Sequence, residues 1–510
     1  MSRPDTLTWL AVHELRLSWR DGISLMTAGR RNGMSTIAIA LIIFVVVMHL
    51  LAWTMVNRYA GEGLLPDKAT LVIVSGLLLL SWSLLLSQAM ESVTRAFYAR
   101  SDLDLILTSP VSPRKVFSVR IARIALSVAL IAVFLAAPFI NVLALLGGPR
   151  WLAAYGVVAA MGTLAAALAV ALTIALFRTI GAKRTRLAAQ IVAAVIGAAF
   201  VIGLQVAAIL TYGNLSRFSV LQSHWLVAHA PNVGNVIWFP ARAVLGDSTA
   251  LAVVIAVSLA LLGLSIAIFA GNFGNHVVAA AGVSSAVVRQ RRWSLHFRRR
   301  SPSRVLRQKE WTLLARDPWL MSQTLMQILY LLPPALLLWK GFQGGTSAII
   351  VLVPVVVMAA GQLGGGLAWL SISGEDAPDL IASAPIPARR ILWAKIEAVM
   401  GAIAVVFAPF ILALAFASTR AALVTATGTL VAAASATMVQ LCFRTQARRS
   451  QFRRRQTSSR IATFAEAFSS IAWAGAAALA AAGSWLALFP AVIAIGILAG
   501  VKLIAPPSTN

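Results

Sequence analysis

Twelve apolar runs, each long enough to cross a bilayer, most narrow the folds open to this 510-residue chain. They lie near 35–56, 69–90, 122–146, 151–176, 187–212, 248–271, 320–339, 347–370, 396–417, 421–442, 462–482 and 485–505. A spanning helix needs roughly 20 apolar residues because the hydrocarbon layer is about 30 Å thick. Inside that layer a helix satisfies its own backbone N–H and C=O groups, so each run predicts a helix. With 59% apolar and 12% charged residues, the chain has too little polar surface to clothe a water-soluble body of its length. The expected fold is all-α and polytopic, with about twelve transmembrane helices. The first run starts too late, and without a small-residue cleavage site, for a removable secretion signal. Cys442 is the single cysteine, which excludes an internal disulfide and a cysteine-built metal site.

The net charge of +27 raises the question of nucleic acid, and its distribution answers it. If the N-terminus is cytoplasmic, the segments on that side hold 36 of the 43 Lys and Arg residues. This positive-inside bias places both termini in the cytoplasm. The richest stretches, 289–316 and 444–460, lack interleaved aromatic stacking platforms. They fit anionic lipid headgroups and no nucleic acid.

Superimposed on the spans is an internal repeat. Asp104-Leu-Ile-Leu-Thr-Ser-Pro110 through Arg114, Lys115 and Arg120 reappears, 275 residues later and without a gap, as Asp379-Leu-Ile-Ala-Ser-Ala-Pro385 through Arg389, Arg390 and Lys395. His13-Glu14-Leu15 to Arg20-Asp21 matches Lys309-Glu310-Trp311 to Arg316-Asp317 at an offset of 296. Phe177-Arg178-Thr179 matches Phe443-Arg444-Thr445. Matches in one order make two repeats of six spans, and an even number of spans makes them parallel. The predicted division is a first repeat at 1–284, a basic cytoplasmic linker at 285–302 and a second repeat at 303–510. The first repeat alone carries a long external segment, 213–247, with Trp225, Trp238, Phe239 and Pro240. That is too apolar for a solvated loop, so it is expected to pack on or dip into the outer membrane face.

Before the first span, Val12, Leu15 and Trp19 recur at i, i+3, i+7, which predicts an interfacial helix over about 7–20. A counterpart precedes the second repeat around 306–316, with Gly22 and Pro318 as breaks at matching places. Ser101 with Asp104, and Asp376 with Asp379, are capping-box pairs that supply oxygens to free N–H groups at a helix start. Pro110 and Pro385 stop each helix after about two turns. Helical pattern resumes at Val116 and Ile391 and runs into the next span. Each repeat therefore holds a short cytoplasmic helix, a rigid bend and a transmembrane helix in series.

These residues resemble the permease of a type-2 ATP-binding-cassette (ABC) exporter, here as two half-permeases fused in one chain. The resemblance identifies the interfacial helices, with Glu14, Trp19, Arg20, Asp21, Glu310, Trp311, Arg316 and Asp317, as elbow helices. It identifies the segments carrying Ser101, Asp102, Asp104, Pro110, Arg114, Lys115, Asp376, Asp379, Pro385, Arg389 and Arg390 as coupling helices that dock an ATPase. It implies an exporter in the bacterial plasma (inner) membrane, partnered by two copies of a cytoplasmic ABC ATPase that carries the ATP and Mg.

Within the chain itself, no Gly-Lys dipeptide occurs, so no phosphate loop is present and hydrolysis is expected on another polypeptide. The chain is therefore read as a transport subunit without an enzyme site, cofactor or metal of its own. A carrier driven by an ion gradient also suits two parallel six-span repeats and is the main rival, ahead of a scaffold or a lipid-acting enzyme. Such a carrier needs carboxylates within the membrane. Glu397 and Glu466 fall near the cytoplasmic ends of spans nine and eleven, where an acid reaches water. His49 in span one reads as a packed, hydrogen-bonded side chain, and the glycines at 361–366 as close helix packing.

Overall fold

A computed structural model of the chain describes residues 6–27, 33–57, 67–98, 112–212, 220–272, 301–316, 347–373, 385–442 and 460–504, with isolated positions at 383 and between 325 and 336. Every regular element among the described residues is a helix. Ten of these helices are long and apolar enough to cross a membrane, and Leu41–Val56 adds a shorter apolar helix. The run near 320–339 lies largely outside the described residues, although Leu331 is seen buried in a core. The chain divides into two compact units between Val287 and Val288, with residues 205–215 grouped with the second.

In the first unit, α1 (Leu7–Thr27) precedes α2 (Gly33–Val56), α3 (Lys68–Tyr98) and α4 (Pro113–Gly147). The helix α1 passes straight through Gly22, where a break was expected. One glycine in a helix costs only about 1 kcal/mol, less than the helix gains by continuing against its neighbours. The helix α4 begins at Pro113, a turn earlier than the apolar pattern indicated, because proline suits the first helical position and Ser112 is already extended. The next two spans, α5 (Pro149–Gly181) and α6 (Arg184–Leu210), meet at Gly181. Its φ of 74° is open to glycine and strained for other residues, so the spans join with almost no loop.

The core of this unit is built at one end of α3, α4 and α5. Phe97 is fully buried between Phe117 and Phe177, with ring centroids 6.3 and 5.3 Å away. Further along, α4 and α5 approach so closely that a Cβ on Gly162 would lie 2.6 Å from the Ala129 Cα. Backbone cannot yield as a side chain can, so Gly162→Ala is expected to force the two spans apart and cost about 1–3 kcal/mol. Thermal unfolding of the purified protein in detergent checks this, with Gly203→Ala, which meets open space, as the neutral control.

The external segment behaves as its apolar character requires. Its short helices α7 (His224–His229) and α8 (Phe239–Val244) pack on the start of α3. Trp238 is buried with Leu71, Val72 and Ala241, and its Nε1 donates to the Pro231 carbonyl at 3.3 Å. Lys68 ties the segment to α3 by donating to the Ala230 carbonyl at 3.3 Å. Asp247 caps α9 (Ser248–Phe269), accepting from the Thr249 and Ala250 N–H groups and pairing with Arg242 at 2.6 Å. The Thr249 and Ala250 hydrogen bonds, helped by Arg242, hold its carboxyl down at about 2. Because the folded value is depressed, the cap acts fully above the unfolded value near 3.8 and is lost only as pH falls towards 2. Asp247→Ala is expected to cost about 1 kcal/mol, equally at pH 5 and pH 8, in the same thermal assay.

The second unit holds α10 (Pro302–Arg316), α11 (Ser347–Ser373), α12 (Ala388–Ala417), α13 (Thr419–Cys442), α14 (Arg460–Ala481) and α15 (Leu488–Ile504). Its core is centred on α11, α12 and α13, with Leu352, Val356, Leu363, Leu367 and Phe407 fully enclosed. The glycine cluster of α11 is a contact surface, as its place in a span predicted. Gly364 lies against the Ala433 backbone of α13, while Gly361 and Gly365 face Ser470 and Glu466 of α14.

Candidate functional site

Ion pairs join α1 to α4 and α10 to α12, and the partners occupy equivalent places in the repeat. In the first unit, Glu14 of α1 faces Arg120 at 3.7 Å and Arg123 at 3.3 Å on α4. In the second, Glu310 of α10 faces Lys395 of α12 at 3.2 Å, with Lys309 also at 3.2 Å. Glu14 and Glu310 are the repeated acids of α1 and α10, and Arg120 and Lys395 are the repeated bases 275 residues apart. A carboxylate therefore joins α1 to α4 and another joins α10 to α12.

These pairs are sheltered from water. Arg120 is 6% exposed and Glu14 19%, while Glu310 is 1% and Lys395 11% exposed. Desolvating both charges is unfavourable, and mutual attraction offsets it only while both partners are present. Lys395 also donates to the Ser371 carbonyl at the end of α11, so one ammonium group links α10, α11 and α12. In the first unit the matching anchor is aromatic: Phe97 ends α3, Phe117 starts α4, and their rings touch. In the second unit, Trp311 lies over Gly401 of α12.

The remaining predicted residues fall as follows. Trp19 and Arg20 are exposed on α1, with Val12 and Leu15, leaving the expected apolar stripe open to its surroundings. Asp21 and Arg316 are helical, with side chains outside the described set, and Asp317 lies outside it altogether. Arg114 is exposed beside Gly271 after α9, and Lys115 is partly buried. Pro385, Arg389 and Arg390 are exposed at the entry to α12. Ser101, Asp102, Asp104, Pro110, Asp376 and Asp379 lie outside the described residues. Sequence reasoning passed over Arg120, Arg123 and Lys395 as site residues. The available signal was that the repeat retained a basic residue at one place in both copies.

Several other polar groups are engaged. His49 Nδ1 bonds the Val45 carbonyl at 2.8 Å, which makes it the donor, so Nε2 accepts from the Asn141 amide at 3.2 Å. Asn141 Oδ1 in turn accepts from the Tyr155 hydroxyl at 2.7 Å. This is the packed, hydrogen-bonded histidine expected. Glu397 is half-exposed at the protein surface and pairs with Arg307. Glu466 differs from expectation: it turns inward to the notch at Gly365 and accepts from Gln440 at 2.6 Å. His229 bonds the Trp225 carbonyl at 2.8 Å and stacks on its ring.

Ten membrane-length helices, with buried charge at the bases of two of them, define an all-α integral membrane protein. The family described as "Putative ABC exporter" matches residues 31–314, more than half of the sequence, and the chain belongs to that family. It is thereby an ABC-type transport protein, which works in association with ATPase components. No curated protein matches the chain, and no solved structure does.

Proposed function

We propose that this chain is the transmembrane permease subunit of an ABC exporter, made of two fused half-permeases and driven by two cytoplasmic ATPase subunits. Both termini are cytoplasmic and the membrane is the bacterial inner membrane. Each ATPase docks on one Pro-punctuated segment, through Asp102, Asp104 and Pro110 in the first half and Asp379 and Pro385 in the second. ATP and Mg are held by those subunits, and no hydrolysis occurs on this chain. Closure of the ATPases pushes the two segments and shifts the spans that continue from them, α4 and α12.

The observation that carries this reading is the repeated ion pair, Glu14 with Arg120 and Glu310 with Lys395. Buried charge in a bilayer protein is retained chiefly for function. Here it ties each elbow helix to the first turns after a docking segment, where force from outside the membrane would enter. The test is purification from native membranes under mild detergent. An ABC ATPase should be recovered at two copies per chain, and transport should stop when that ATPase is made hydrolysis-dead. Intact transport with no ATPase bound overturns the proposal.

A further inference from the structure

We infer that the cleft between α10 and α12 is a binding site for the phosphate of an anionic phospholipid. The inference needs only that the chain lies in a membrane and goes beyond its partnership with an ATPase. The cleft has a volume of about 430 Å³ and is lined by Ser303 and Arg307 of α10 and by Arg389, Arg390, Trp393 and Glu397 of α12. Three guanidinium groups therefore face one carboxylate. Arg389 and Arg390 take part in no ion pair among the described residues. Arg307 pairs with Glu397 at 3.0 Å, but the two side chains are 55% and 49% exposed, and water screens such a pair heavily. The guanidinium fork remains free to turn to a better anion, and phosphate matches its donor geometry.

The order of side chains along α12 points to a lipid as the bearer of that phosphate. Arg389 and Arg390 occupy the first turn, and Trp393 is exposed about one turn deeper, roughly 5 Å along the axis. Tryptophan favours the headgroup level of a bilayer. One further turn on stands Glu397, paired with Arg307, and past it the exposed side chains of α12 are all apolar, including Val405, Leu412 and Phe416. Charge, then an amphipathic ring, then hydrocarbon is the sequence of environments that a phospholipid presents from headgroup to chain. The corresponding pair in the first unit is placed differently, since Arg114 lies against Gly271.

The experiment uses the full chain in nanodiscs of phosphatidylcholine with graded phosphatidylglycerol, and reads retained lipid by native mass spectrometry. Wild type should retain phosphatidylglycerol over phosphatidylcholine. The double variant Arg389→Ala with Arg390→Ala should weaken that retention about thirtyfold, the loss of two basic contacts at an anionic surface. Arg389→Lys with Arg390→Lys keeps the charge and should fall between, which separates a binding defect from misfolding. Brominated phosphatidylglycerol should quench Trp393 fluorescence in wild type, read as the difference from Trp393→Phe, and brominated phosphatidylcholine should not. Equal retention by wild type and the Ala pair overturns the inference. Displacement of the lipid by inorganic phosphate at the same affinity overturns the lipid assignment, as does loss of ATPase binding in the Ala pair with lipid retention intact.

Discussion

Glu310→Ala is expected to destabilise the second unit by about 3–5 kcal/mol, the cost of breaking a buried ion pair from one side. The carboxylate is 1% exposed and stands between two ammonium groups, Lys309 and Lys395, each 3.2 Å away. Its removal leaves like charges facing each other in a site that water reaches poorly. Glu14→Ala should cost less, because Glu14 is 19% exposed and its arginines stand 3.3 and 3.7 Å away. Thermal unfolding in detergent orders the two. A double-mutant cycle adds the decisive comparison: Glu310→Met with Lys395→Met removes both charges and should recover most of the loss, since paired apolar replacements of a buried bridge are often neutral. A Glu310→Ala variant within about 1 kcal/mol of wild type would show that the pair is not a structural clamp, that figure being the worth of an exposed pair.

Replacing both capping acids, Asp104→Ala with Asp379→Ala, is expected to weaken ATPase association about thirtyfold while leaving the membrane-embedded fold intact. The capping-box pattern of the sequence expects each acid to cap a short helix, and loss of a cap costs about 1 kcal/mol, so two such sites together account for the factor. Single variants should lose about fivefold each by the same conversion. Co-purification at graded ATPase concentration measures the first effect, and an unchanged unfolding midpoint establishes the second. Undiminished association in the double variant removes these acids from the interface.

The spans were legible because bilayer thickness sets a length that sequence displays directly. Gly361 and Gly364 were legible for a related reason, since close approach between helices selects residues without bulk, and Gly364 does meet backbone. What could not be read was any contact between residues far apart in the chain. Glu14 announced itself as one member of a repeated motif, yet its partners lie more than a hundred residues later on α4. Nor could local pattern tell Glu397 from Glu466. Both are lone acids near the same end of a span, and only packing shows one at the protein surface and the other facing Gln440. Gly22 misled for the opposite reason: a weak local preference was read as decisive where tertiary context overrode it.

The aromatic knot of Phe97, Phe117 and Phe177 has a geometric consequence for α4. With the end of α3 and the start of α4 gripped at one point, a sideways load on the first turn of α4 would act as torque about its root. That helix has 35 residues, so at 1.5 Å per residue its far end sits about 50 Å from the pivot. Swinging it by about 5° sweeps the tip through about 4 Å, comparable to one helical pitch. Gearing of that ratio would turn a slight stroke at the root into a displacement at the far end large enough to part or seal neighbouring helices.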